Sequence, residues 1–325
     1  MNDARIMQML KGAETVINIC AQVKPNERVL IITDSEIDAT IAYALAAASY
    51  NRGAEPVVAT MIPRKAHAED PPEPICQAML VADVIITPTS KTIYHAPVTR
   101  EACNRGARFL SMTGALPTTL MRGAITADFE QIKPVVLNLA QKFTEAKKLR
   151  LRTSAGTDIA ADIEGRVGEA EPGIADKPGT LIGIPCIEAN VTPIEESTQG
   201  RFIVDVTATD FGFVDKPIEI RVKNGVATEI NGGQTAQKLQ KLLAGANDPK
   251  QYIIAEFGFG LNPNAELQGR IIEDEAARGT CHIALGDNIN LGGKNKAPMH
   301  IDLILKDPVL ELDGKIVIDK EQILV

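Results

Sequence analysis

The chain has 325 residues, 45% hydrophobic and 23% charged, with a formal charge of −8. That length favours two domains over a single core, and the composition is that of an ordinary globular protein rather than a disordered or fibrous one. The acidic balance argues against nucleic acid and anionic membrane surfaces as partners, because both are held through clustered Lys and Arg. The densest basic stretch, Lys147 to Arg152, reads as a solvated surface segment.

The first residues carry Asp3, Arg5 and Lys11 and lack the unbroken apolar core of a secretion signal. No apolar run approaches the ~20 residues of a membrane span. Five cysteines, odd in number and without CxxC spacing, suit reduced thiols in a cytoplasmic protein.

From Arg28 onward, apolar runs alternate with Ala-rich stretches: Val29 to Ile32, Thr40 to Ala48, Val57 to Ala59, Val84 to Ile86, and Phe109 to Met112 after a helical Arg100 to Arg105. Strands buried on both faces and joined by crossover helices have this pattern, so a parallel, Rossmann-like sheet is expected. The first strand exits into Thr33-Asp34-Ser35-Glu36, with no glycine to admit a pyrophosphate and acids that repel it, which removes a dinucleotide role. Pro134 is read as the start of a helix running to about Lys148. Beyond residue 150 the pattern becomes β-type alternation with turn signals at Asn224-Gly225 and Asp313-Gly314. The expected architecture is thus α/β: a parallel-sheet domain over residues 1–150 and a β-rich α+β metal-binding domain over 151–325.

The chemistry-bearing residues fall mainly in the second half. His300 and Asp302 share one face of an apolar strand, since side chains alternate along a strand. Burying that carboxylate requires a cation or donors. His282 precedes Ile283-Ala284-Leu285, Glu256 sits between an apolar run and Phe257-Gly258-Phe259-Gly260, and Glu188 lies in Ile187-Glu188-Ala189-Asn190. Each alone fits a satisfied core or capping residue; together they form a donor set suited to divalent metal. Asp158, Asp162, Glu169 and Glu171 are weaker candidates for the lining of a cleft. His95 is a candidate substrate contact, and Lys294 with Lys296 could steer a substrate carboxylate.

The Gly156-Thr157-Asp158 turn, the segments Pro185 to Glu188, Ala255 to Asn262, Gly279 to Gly286 and Gly292 to Asn295, and His300-Ile301-Asp302 resemble the aminopeptidase T family of cobalt- or zinc-dependent metallopeptidases. The resemblance covers the second domain and, more loosely, the first. It implies that Glu188, Glu256, His282, His300 and Asp302 hold two zinc, cobalt or manganese ions, with Glu256 as bridge and Glu188 as proton shuttle. It also implies a short peptide or small-molecule substrate and a homodimer. The chain departs from that family in being shorter and in carrying Ile289 where a tyrosine is expected. A second branch of similar length and the same fold, the dihydroxypyridine dioxygenases, implies instead one Fe(II) in a two-histidine, one-carboxylate triad. There the position of Glu256 is a histidine, and those of Glu188 and His282 are not ligands. Because all five hydrolase-type residues are present, the expectation is a metal-dependent hydrolase of amide or peptide bonds, with the ring-cleaving dioxygenase as the alternative.

Overall fold

The apolar runs of the first third pair in parallel, with Arg28–Asp34 lying between Glu55–Met61 and Val84–Thr87, and Arg108–Ser111 beyond them. The computed structural model describes residues 3–325. These gather into two units: the described residues up to Gln131 with Gly173–Cys186, and Ile132–Pro172 with Ile187–Val325. The expected mixed α/β class, with a parallel sheet and β-rich antiparallel sheets, is what the chain adopts.

In the first unit the parallel sheet has a fifth strand, Leu181–Gly183, paired beside Arg108–Ser111. Three residues, one of them Gly183, carry no periodicity from which this strand could be read. The Ala-rich crossover forms the helix Ala39–Asn51, whose first turn is capped by Asp38 accepting from the Thr40 amide. Glu55–Met61 is an edge strand, not one buried on both faces, and Val57 is 59% exposed. Buried Asp34 ends the first strand. It accepts from the Ser90 amide at 2.6 Å and the Ser90 hydroxyl at 2.9 Å, so the carboxyl ends of the first and third strands are tied together by the chain's own side chains.

The helix expected from Pro134 begins earlier and spans Phe129–Glu145, its first three residues in the first unit and the rest, Pro134 included, in the second. The Asp128 carboxylate accepts from the Gln131 amide and supplies the start signal that proline alone misplaced. The second unit holds two antiparallel sheets. One runs, edge to edge, Val226–Asn231, Ile218–Lys223, Gln199–Val204, Asp158–Asp162, Lys148–Thr153, Pro308–Leu312, Lys315–Asp319, Gln322–Ile323. The two-residue turns Asn224-Gly225 and Asp313-Gly314 have positive φ at both positions, the geometry that matches strand twist in hairpins.

The other sheet runs Gly212–Phe213, Thr207–Ala208, His300–Lys306, Thr280–Gly286, Ile254–Gly260, Glu188–Val191, Glu169–Glu171. Its central strands, Ile254–Gly260 and Thr280–Gly286, are buried along their whole length. Phe259 meets Phe143 of the long helix with ring centroids 5.7 Å apart, and each fully buried phenyl contributes roughly 1.5–3 kcal/mol. Among the described residues no helix is long and apolar enough to cross a membrane.

Candidate metal centre

Strand register places the five candidate donors on one face of the seven-stranded sheet. Glu256 pairs with Ala284, which pairs with Asp302, and Gly258 pairs with His282 on one side and Asn190 on the other. Gly286 pairs with His300, and Gly260 with Glu188. Residues two apart on a strand share a face, so Glu188, Asn190, Glu256, His282, His300 and Asp302 project together, with Gly258, Gly260, Ala284 and Gly286 between them as small spacers. The phase of Glu256 depends on an irregularity, for the register with the neighbouring strand shifts between Ile254 and Glu256. Bulges of this kind re-aim side chains beside functional sites.

Within this array two groups of donors lie close enough to share an ion: Glu188, Glu256 and His282, and Glu256, His300 and Asp302. Glu256 belongs to both. Its Oε1 is 3.6 Å from His282 Nε2 and its Oε2 is 3.1 Å from His300 Nε2. His300 Nε2 is also 3.1 Å from Asp302 Oδ1, while its Nδ1–H donates to the Asp287 carbonyl at 2.7 Å. That bond sets the tautomer and leaves Nε2 facing both carboxylates. On the other side, His282 Nδ1 and Glu188 Oε2 are buried, have no hydrogen-bond partner and stand 3.9 Å apart. A buried ring nitrogen and a buried carboxylate oxygen left in this state are costly, and a shared cation relieves both.

Electrostatics follow from this crowding. Burial pulls His282 down, but Glu188 and Glu256 outweigh it and push the imidazole up to about 10. His300 is likewise raised, the pull of burial being overcome by Asp302 and Glu256. Burial raises Glu256, yet its bonds to His282 and His300 hold it well below the ordinary carboxylate range. Without a metal, protons on the histidines compensate the carboxylates.

The remaining candidates belong to neither group. Lys294 and Lys296 are exposed on the loop between the last two donor strands, and Ile289 begins a short turn there, 43% exposed. His95 belongs to the first unit, exposed, with its ring edge-on to Tyr94. Asp158 is an exposed ion-pair partner of Arg150. Glu169 fares differently: half-buried on the edge strand and paired in register with Asn190, it is pushed up to about 7 by burial and by the charges of Glu256 and Glu188. Sequence reading missed Glu275, which lies beside Glu188 and is raised well above the usual carboxylate range by burial and by Glu188 and Asp302. It also missed Asp287, whose contribution is a backbone carbonyl that no side-chain pattern announces.

A family model described as NicX, 2,5-dihydroxypyridine 5,6-dioxygenase, matches residues 8–325. The chain is similar to the 2,5-dihydroxypyridine 5,6-dioxygenase of Pseudomonas putida KT2440, 28% identical over 254 residues, which cover 74% of this chain and 71% of that one. Among solved structures, 2,5-dihydroxypyridine dioxygenase from Pseudomonas putida KT2440 superposes with a TM-score of 0.84 at 23% identity, over 99% of this chain and 98% of that one. Wild-type AmpT from Thermus thermophilus follows at 0.74 and 14%, over 98% and 99%. At such identity the peptidase likeness is one of fold alone. The expected metallohydrolase, an aminopeptidase-like enzyme acting on amide bonds, is overturned by the family match. Carboxylates and imidazoles serve water activation and oxygen chemistry equally well, so the five donors had no power to choose between them. Over nearly its whole length the chain belongs to the 2,5-dihydroxypyridine 5,6-dioxygenase family.

Proposed function

We propose that the chain is a metal-dependent dioxygenase that opens the ring of a small dihydroxylated N-heterocycle of the dihydroxypyridine type. The observation that carries this reading is the match of residues 8–325 to that family, in a chain whose His300, Asp302 and Glu256 converge at 3.1 Å contacts. Glu256, His300 and Asp302 would hold a single ferrous ion, with His282 the second imidazole at hand beside Glu256. A pair of zinc, cobalt or manganese ions belonged to the peptidase expectation, and redox-inert zinc has no electron to give to dioxygen. Bound Fe(II) would supply the one-electron chemistry through which triplet dioxygen attacks an electron-rich ring.

The chain's own residues provide the rest. The Asp287 carbonyl fixes His300 with Nε2 toward the ion position, and the spacers Gly258, Ala284 and Gly286 keep the donor face clear of bulk. Glu169, half-buried on the edge strand and in register with Asn190, lies on the margin of this donor face and is suited to take a proton from a substrate hydroxyl. The test is anaerobic loading with Fe(II), then 2,5-dihydroxypyridine and air in an oxygen-electrode cell. Consumption of one O2 per ring lost is the expected result; an unchanged ring spectrum and no oxygen uptake by iron-loaded protein would sink the reading.

A further inference from the structure

The carbonyl that orients His300 belongs to Asp287, the first residue after the His282 strand, in a loop that runs to Met299 before the His300 strand begins. Without regular structure over most of its length, such a loop needs internal bonds to hold a carbonyl at a fixed point. Two buried asparagines supply part of the hold. The Asn288 amide donates to the Asn295 carbonyl, the Asn295 amide donates to Asn288 Oδ1 at 2.8 Å, and Asn295 Nδ2 donates to the carbonyls of Gly286 at 2.6 Å and Lys250 at 2.9 Å. Gly293 has no room for a side chain, because a Cβ there would stand 2.1 Å from the Asn288 side chain.

The loop is then anchored from outside by one carboxylate. Glu195 Oε1 accepts from the Lys294 amide at 2.6 Å and from Asn288 Nδ2 at 3.4 Å. Its Oε2 accepts from Arg166 at 2.6 Å, and the same guanidinium donates to the Gly292 carbonyl at 2.8 Å. The pair is shielded, with side chains 11% and 16% exposed, so this is no screened surface contact. Thr192 adds a bond to the Leu291 carbonyl at 2.9 Å. Glu195 thus gathers Arg166, Asn288 and Lys294, and through Arg166 it reaches Gly292.

We infer that Glu195, with Arg166, is a positioning residue for His300: it locks the 287–299 loop so that the Asp287 carbonyl holds the imidazole as its Nδ1–H tautomer with Nε2 turned to Glu256 and Asp302. The inference rests on the proposed metal site for the tautomer and for metal retention, since a bound ion takes the place of the Nε2 proton; the Nδ1–H bond to the Asp287 carbonyl is a property of the chain itself. Residues that fix a ligand histidine in this way change metal affinity or activity by about 10–100-fold when removed.

The experiment pairs two readouts on the full-length chain. The 15N spectra of its imidazoles, with diamagnetic Zn(II) in place of iron, report the His300 tautomer, and chelator capture reports Fe(II) release. Glu195→Ala is expected to give a mixed His300 tautomer and Fe(II) release about 10–100-fold faster, and Glu195→Gln, which keeps an acceptor for the Lys294 amide, an intermediate effect. Arg166→Met, which loses the ion pair and the Gly292 bond, covers the case in which Glu195→Ala fails to fold, and is expected to shift the tautomer in the same direction. A folded Glu195→Ala or Arg166→Met with an unmixed Nδ1–H tautomer and native Fe(II) release overturns the inference. Native protein that holds no Fe(II) overturns the proposed ferrous site instead, and the Nδ1 proton of metal-free His300, hydrogen-bonded to the Asp287 carbonyl in native protein and released from it in Glu195→Ala, still decides the role of Glu195.

Discussion

Gly258 stands directly across the strand ladder from His282, and a Cβ on it would lie 2.0 Å from Cε1 and 2.1 Å from Nε2 of that imidazole. The histidine ring occupies the space that any side chain at 258 would need. Gly258→Ala is therefore expected to displace the ring while leaving the sheet in place, with metal binding about 10–100-fold weaker in a chelator competition and an unchanged far-ultraviolet spectrum. Native affinity in that variant would show that His282 has no part in holding the ion.

Glu256 offers one oxygen to each histidine. Glu256→Gln keeps its size and removes its charge, and is expected to lower iron content and kcat/KM by about 100-fold, measured by metal analysis and oxygen uptake. Glu256→His supplies the imidazole that the resemblance implies at this position in the dioxygenase branch. It is expected to retain more iron and more turnover than Glu256→Gln; the reverse order would mean that the carboxylate at 256 does something a neutral donor cannot.

The raised pKa of His282 makes a pH prediction for the metal-free protein. Burial lowers it and Glu188 and Glu256 raise it, for a net displacement from 6.5 to about 10. The folded state therefore binds this proton more tightly than the unfolded chain does, so the stabilisation is complete below pH 6.5 and is lost as pH rises towards 10. The melting temperature of the apoprotein is expected to fall across that window. Metal-loaded protein should show a shallower fall, because the ion replaces the proton as the carboxylates' counter-charge. A flat apoprotein profile would count against the cluster's electrostatics.

Metal should also stabilise outright. An ion that binds only the folded chain adds about 2.7 kcal/mol at a free concentration 100-fold above its Kd. Anaerobic Fe(II) is expected to raise the melting temperature of native protein and to leave that of a His300→Ala, Asp302→Ala double variant almost unmoved. An equal rise in both would place the ion elsewhere.

Much of this centre is legible in the sequence because strand alternation is a local rule: His300 and Asp302 share a face whatever the rest of the chain does. What alternation cannot supply is register. That Gly258 faces His282, and that Ala284 joins Glu256 to Asp302, depends on pairings between strands distant in sequence and on the irregularity near Glu256. Nor does a side-chain pattern reveal the backbone carbonyl of Asp287 or the reach of Glu195 to a loop some hundred residues away. The reaction class was misjudged for a chemical reason, since the donors that polarise water are the donors that hold an oxygen-activating metal. In the fold, Pro134 misled because a capping aspartate outranks it as a helix start, and Leu181–Gly183 was too short to betray a strand.

All five cysteines are buried, and burial drives the thiols of Cys20, Cys103 and Cys281 upward, away from the thiolate form that oxidants and alkylating reagents attack. If the proposed activity brings dioxygen to the chain, these thiols meet it in an unreactive state. Activity lost on standing in air should return on adding ferrous salt and ascorbate, and a thiol reductant alone should not restore it.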